Sequence, residues 1–179
     1  KHWIHEGGIR TPLIVHWPEG IEAKGEFRKQ PGHIIDLMAT CVDVSGADYP
    51  QTHEGFDISP FAGTSLLPAF INGDLNRDTL YWEHEANRGI RIGNMKCVAK
   101  ADQLREFTQK EHEKWELFDL SSDPTEVNDL SEQNPELLKK MIGSWEGWAI
   151  RNEILPWPWG SYFPKKEITG DLAFYFPFD

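Results

Sequence analysis

Apolar residues are grouped differently in the two halves of this chain. Residues 11–17, TPLIVHW, form a short continuous apolar run with Pro12 near its start and Pro18 just beyond it. A run of that length, with its proline where no ladder donor is lost, predicts a buried strand. The polar, glycine-punctuated stretch EGIEAKGEFRKQPG then predicts a surface loop. From His33 to Ser45 the spacing becomes helical, with Ile34, Ile35, Met38, Cys41 and Val42 recurring on one face and Gly46 as the stop. Strand, loop and helix in that order make one α/β unit.

Residues 47–79 are rich in Pro, Gly, Asp and Thr and carry little periodicity, which predicts a long irregular connection with SLLPAFING packed across the surface. Two strand-like runs follow, Arg88 to Ile92 and Met95 to Ala99, joined by Gly93-Asn94, a favoured hairpin pair. WELFDL predicts another strand, and SSDPTEVNDL is turn chemistry pivoting on Asp123-Pro124. Asn134 then predicts a cap, with Pro135 at the first position of a helix. Leu137, Leu138, Met141, Ile142, Trp145, Trp148 and Ala149 give that helix a broad apolar stripe, expected to pack on antiparallel strands. The last stretch, rich in Pro and aromatic residues, predicts an ordered surface tail.

Composition narrows the possibilities. The 179 residues suit one domain with a core, or one large and one small lobe. Hydrophobic residues at 39% and charged residues at 26% describe a globular chain. A net charge of -11 argues against a nucleic-acid partner, whose phosphates demand Lys and Arg. An anionic substrate would need a local positive field. No apolar run is long enough to span a membrane. Cys41 and Cys97 match no metal spacing, and both are expected to be buried free thiols.

Candidate chemistry is densest in KHWIHEGGIR. His2 and His5 stand three apart, as two metal ligands on a helix would. No third ligand accompanies them and the glycines oppose a helix, so ordinary loop histidines are expected and no metal site is assigned. Gly7-Gly8 permits a close approach of another group, and Lys1, ahead of that turn, can meet an anion as a point charge. Asp119, Asp123, Glu126 and Asp129 lack calcium-loop spacing and its glycine, which leaves turn and cap roles. PWPWGSYF suits either packing over the core or stacking on a sugar.

KHWIHEGGIRTPLIVHWPEGI resembles the signature that opens the C-terminal third of the sulfatases. GHIIDLMATCVDVSGADYP, GTSLLPAFING, LYWEHEANRGIRIGNMKCV, WELFDLSSDPTEVNDLSEQNPE and WAIRNEILPWPW resemble, in the same order, further segments of bacterial arylsulfatases. The likeness covers roughly residues 1–160. It implies an alkaline phosphatase-like α/β fold: residues 1–79 would end a large mixed-sheet domain, and 80–155 would be a small C-terminal subdomain of four-stranded antiparallel sheet packed on a long helix. Residues 156–179 would form the surface tail.

The resemblance also implies hydrolysis of sulfate esters, aryl or sulfated carbohydrate, by a formylglycine nucleophile and a divalent cation, usually calcium. Lys1 would be the catalytic clamp on the sulfate, and His84, Asn87 and Arg88 would be substrate-binding. Neither cysteine lies in the C/S-x-P-S/A-R motif that makes formylglycine. The nucleophile and metal ligands are therefore expected upstream, in an N-terminal remainder that would be the partner of this chain. The chain alone is expected to be inactive, and a periplasmic or extracellular location is implied. A phosphonate or phosphate ester hydrolase of the same superfamily is the nearest alternative, and a noncatalytic carbohydrate- or protein-binding remnant is another. For WEHEANRGIR, the alternative to a substrate role is a solvated face of Glu83, Glu85, Arg88 and Arg91 in cross-strand pairs.

Overall fold

The structure is a computed structural model that describes residues 3–101 and 114–154. The elements in chain order are α1 (Glu6–Ile9), α2 (Asp36–Ser45), β1 (Thr52–His53), β2 (Phe56–Asp57), α3 (Leu67–Phe70), β3 (Thr79–His84), β4 (Asn87–Ile92), β5 (Met95–Ala99), β6 (Trp115–Asp119) and α4 (Pro135–Arg151). They fall into two units, one formed by Arg10–Leu80 and the other by Lys1–Ile9 with Tyr81–Asp179. No helix among the described residues is long and apolar enough to cross a membrane. The stretch PWPWGSYF lies outside the described residues.

In the unit Arg10–Leu80, helix α2 is anchored by polar groups. Asp36 is fully buried. It accepts backbone N–H bonds from His33 at 2.7 Å and Thr64 at 2.9 Å, and the Arg77 guanidinium grips both of its oxygens. Burial alone would raise the carboxyl's pKa, but these bonds, Arg77's first among them, outweigh it and hold the group below its ordinary value. Thr40 Oγ1 accepts from Leu66 N at 2.8 Å, tying α2 to the short α3. Gly46 closes the helix in the left-handed conformation at φ 64°.

The apolar stripe foreseen on α2 is not the buried face. Ala39 and Thr40 are buried, whereas Ile34, Ile35, Met38 and Cys41 are exposed. Cys41 is therefore free but not buried, and Cys97 is both. Residues 11–17 form no strand, and Ile14 is 91% exposed. A strand needs a neighbour to complete its ladder, and no described segment pairs with this one. Ahead of β3, which begins at Thr79, the stretch expected to be irregular holds only the two-residue ladder of β1 with β2 and the single turn of α3.

The other unit is built as expected. Strands β3-β4-β5-β6 form one sheet in sequence order, with β4 and β5 antiparallel across Gly93-Asn94 and β5 and β6 antiparallel in turn. Period-two alternation sends Ile90, Cys97, Ala99, Trp115 and Leu117 to one face, where Met141, Trp145 and Ala149 of α4 cover them. Trp145 Nε1 donates to the Trp82 carbonyl at 2.9 Å, so its one polar atom is satisfied. Burial pushes the Cys97 thiol up to about 12. The Asn134 side chain does not cap α4; its amide turns back to the Leu130 carbonyl at 3.4 Å.

The opposite face is covered by the opening segment. Ile4 packs on Val98 and Phe118, beside Trp82. Gly89 makes that possible, because a Cβ there would stand 2.6 Å from Ile4 Cγ2. Contrary to the expectation of a plain loop, Glu6–Ile9 make one helical turn, with Gly8 N donating to His5 O at 2.7 Å. Gly8 is the obligatory member of the glycine pair: a Cβ on it would collide with the Trp3 carbonyl, whereas Gly7 has nothing nearby.

One ion cluster holds this segment down. Lys96 on β5 is fully buried on the Ile4 face. Its ammonium lies 2.8 Å from Glu6 Oε1 and 2.9 Å from Glu126 Oε1. The second contact is an ion pair rather than a directed hydrogen bond. Glu126 also accepts the backbone N–H of Glu6. His5 meets Glu116 at 3.2 Å, two positions along the same face.

Two outcomes follow from these contacts. Lys96→Met strands two buried carboxylates and should cost about 3–5 kcal/mol in urea unfolding, with most of it recovered when Glu6→Gln and Glu126→Gln are added. A Lys96→Met protein as stable as its parent would show that the cluster is not what holds the segment. The second outcome concerns acid. Asp129 accepts N–H bonds from Leu117 and Ser131 and pairs with Lys114 at 3.0 Å. Burial opposes ionisation there, but these partners prevail and bring its pKa down to about 2 from 3.8. The unfolded chain thus takes up this proton first as pH falls. The stabilisation is full above about pH 4 and is lost between there and about pH 2. Asp129→Asn should flatten that part of the stability–pH curve, and an unchanged acid limb would exclude the assignment.

Candidate functional site

The opening segment runs along its face of the sheet toward one end. Glu6 sits at Lys96, Ile4 over Gly89 and Val98, and Trp3 reaches Lys100, whose ammonium lies 5.1 Å from the indole centroid. Lys100 follows Ala99, the last residue of β5, and alternation from Lys96 and Val98 puts it on that same face. Trp82 belongs to this face, so His84, two residues on, does too. Continuing the Arg88↔Ala99 register by one step sets Asn87 level with Lys100. At this end of the sheet the row therefore runs His84, Asn87, Lys100, with Trp3 against Lys100.

Sequence reasoning singled out His84 and Asn87 but not Trp3 or Lys100. A lone lysine after a strand carries no signature, and only the docking of the opening segment reveals its neighbour. Lys1, the foreseen sulfate clamp, and His2 lie outside the described residues.

The turn that presents His84 is strained. Glu85 and Ala86 link β3 to β4 with φ of 52° and 63°, the left-handed pair of a type I′ hairpin, and neither is glycine. Three side-chain bonds hold it. Glu83 accepts the Ala86 N–H at 2.8 Å. The Asn87 amide donates to the His84 carbonyl at 3.0 Å, and its oxygen accepts the Ala101 N–H at 3.1 Å. Burial raises the pKa of Glu83, its bond to Ala86 pulling the other way.

The predicted residues do not share one environment. The His84 side chain is 58% exposed and lies 3.9 Å from Glu85. Asn87 is buried and committed to the turn and to Ala101. Arg88 points to the α4 face, 7% exposed, with its guanidinium 4.9 Å from the Trp115 ring and 5.5 Å from that of Trp145. Burial lowers its pKa to about 10, the carboxylates of Glu146 and Glu83 opposing. The solvated-face alternative therefore fails for Arg88, which lies within the packing. Arg91 bonds the Gly93 carbonyl at 2.8 Å.

Such an arrangement can bind an anion or a sugar at its rim, but it holds no nucleophile. Cys97 is buried with its thiol protonated, and Cys41 belongs to the other unit. Among the described residues no three His, Cys, Asp or Glu side chains gather as the ligands of a metal ion would. Glu6 and Glu126, the nearest approach to a carboxylate pair, already share Lys96. The residues described here do not fit the calcium that the resemblance implies.

Comparison with known proteins identifies the family to which this chain belongs. The family described as N-sulphoglucosamine sulphohydrolase, C-terminal, matches residues 1–144. An uncharacterized sulfatase of Schizosaccharomyces pombe is 30% identical over 154 residues, 81% of this chain and 26% of that protein. The N-acetylgalactosamine-6-sulfatase of Canis lupus familiaris is 29% identical over 77% of this chain and 29% of its own length. The crystal structure of Ps i-CgsB superposes with a TM-score of 0.56 at 28% identity, over 75% of this chain and 27% of that one. The chain thus spans between a quarter and a third of each of these proteins. From the match over residues 1–144 and the ordered likeness to these sulfatases, the chain belongs to the sulfatase family and corresponds to its C-terminal portion.

Proposed function

We propose that this chain is the C-terminal part of a sulfuric ester hydrolase acting on a sulfated amino sugar, and that it supplies one wall of the substrate pocket. The observation that carries the reading is the convergence of the opening segment, described from Trp3 onward, on the sheet end that bears His84, in a chain that matches the sulfatase C-terminal family over residues 1–144. The sugar is suggested by the N-acetylgalactosamine-6-sulfatase among the relatives.

In this reading Lys1 lays its ammonium against the sulfate. Charge that builds on the sulfate oxygens in the transition state meets a fixed cation in a site with little water, where the attraction far exceeds its value in bulk solvent. His84 touches the sugar outside the sulfate, and Asn87 fixes the backbone from which His84 projects. Arg88, wedged between Trp115 and Trp145, supports the strand beneath rather than reaching the substrate. The nucleophile, a formylglycine by family resemblance, and the calcium belong to the N-terminal remainder, as does any export to the periplasm or cell exterior.

Support for that remainder as partner comes from the unit Arg10–Leu80. Leu13, Ile14 and Val15 and, on or beside α2, Ile34, Ile35 and Met38 leave apolar surface open. A family member whose large domain continues upstream has the means to cover it.

Purified residues 1–179 alone should turn over no sulfate ester. In the longer protein, Lys1→Met should lower kcat/KM roughly 100-fold or more, as for loss of one transition-state charge partner. His84→Ala should alter the ranking of sulfated sugars several-fold while an aryl sulfate suffers less. Turnover by residues 1–179, or a longer protein carrying the nucleophile motif yet inert toward every sulfate ester, would refute the reading.

A further inference from the structure

The reading above gives Lys100 and Trp3 no role, yet they lie together at the same end of the sheet as His84. We propose that Trp3, Lys100 and His84 form a subsite for a second anionic group carried by the saccharide, a carboxylate or a further sulfate, on the sugar side of the ester being cleaved. The proposal rests on the sulfated-sugar reading above.

The first support is the state of the Lys100 charge. In a chain of net charge -11, Lys96 is matched by two carboxylates and Lys114 by Asp129. Among the described residues Lys100 meets no carboxylate; its ammonium rests on an indole instead. A cation held over an aromatic face keeps its outward N–H groups available to an anion.

The second support is the platform. Trp3 is 43% exposed although Ile4, its neighbour, is buried in the sheet. An indole fixed by its backbone and open to solvent offers an apolar surface to the C–H face of a pyranose. A neutral sugar would use that platform alone, whereas a sugar with a second anion would use the ammonium as well.

Rigidity is the third support. Lys100 lies between Ala99, paired in the sheet, and Ala101, whose N–H is locked to Asn87. The same Asn87 side chain fixes the turn behind His84. One buried amide thus sets both ends of the row. Two strand spacings separate His84 from Lys100, about 10 Å, a span comparable with that of a sugar and its substituents.

The test uses the full-length protein and four substrates: an aryl sulfate, N-acetylgalactosamine 6-sulfate, the same sulfated sugar joined to a glucuronate, and a disulfated hexosamine. Lys100→Met should lower the ratio of kcat/KM on the doubly anionic sugars to that on the singly sulfated sugar about five- to tenfold, as one partly screened ion pair would. Lys100→Arg should restore the ratio, and the loss should shrink as salt is raised. Trp3→Ala should raise KM for all three sugars relative to the aryl sulfate, with Trp3→Phe intermediate. A loss confined to the glucuronate or to the disulfated substrate supports the subsite and names its anion.

If Lys100→Met leaves the ratio where it was, or lowers all four substrates alike, the subsite is overturned while the sulfatase reading stands. A parent protein inactive on all four substrates overturns that reading and the subsite with it.

Discussion

Everything placed at the candidate site depends on the ammonium of Lys96, which has no access to water. A buried ammonium is tolerable only where carboxylates replace its hydration, and here Glu6 and Glu126 do so from positions far apart in the sequence. Two carboxylates against one cation would leave excess negative charge, and the Glu6 N–H directed at Glu126 offsets part of it. Such a cluster adds less stability than its distances suggest, because desolvation consumes much of the attraction. What it supplies is specificity of place. Only one arrangement of the opening segment, β5 and the turn after Asp123 satisfies all three charged groups, so a segment with a single helical turn acquires a fixed path.

That path explains the division of labour between the two faces of the sheet. The α4 face is apolar and carries the burial energy, through Trp145, Met141, Leu117 and Ile90. On the other face a narrow contact of Ile4 with Val98 and Phe118 lies between two polar ties, His5 with Glu116 and Glu6 with Lys96. Ridges of apolar side chain alone would let the segment slide along the strands, whereas a charge pair is satisfied at one register. Gly89 and Gly8 complete the fit by omitting side chains where two backbones meet. The sheet end thus owes its shape to a segment fixed against it.

How far this was legible in the sequence depends on what kind of interaction is involved. The hairpin at Gly93-Asn94, the strand Trp115–Asp119 and the stripe of α4 were readable because each is local, set by period and turn chemistry. Lys96 was not readable. In MKCVA it occupies an alternating position that looks solvent-facing, and its burial follows from Glu6 and Glu126, whose proximity is tertiary. The turn chemistry of SSDPTEVNDL places Glu126 in a turn, which it occupies, but its side chain reaches the cluster. The exposure of Cys41 and of residues 11–17 is not legible for the opposite reason: their apolar pattern describes a surface suited to being covered, and no described residue covers it. Of the residues singled out beside the β3–β4 turn, His84 stands exposed, whereas Arg88 is in the core, because alternation along β4 sends it to the α4 face with Ile90.

The turn between β3 and β4 shows why a fold would keep a costly element here. Two non-glycine residues in the left-handed region cost about 1–2 kcal/mol each, and Asn-Gly at positions 85–86 would relieve them. Relief is not the only constraint on that turn. Ala86 is buried and its N–H is committed to Glu83, so its side chain fills space that glycine would leave open. Glu85 lies 3.9 Å from His84, close enough to bias the imidazole's orientation. A relaxed turn would lose both the packing and that neighbour. Strain held by Glu83 and Asn87 from beneath leaves the His84 backbone few alternatives, and Asn87 extends the same restraint to Lys100 through Ala101. The row that faces the substrate in the proposed reading is thereby fixed from below, on the same principle by which Lys96 fixes the segment above it: a buried polar group with several partners permits one geometry, and that geometry is what a binding edge requires.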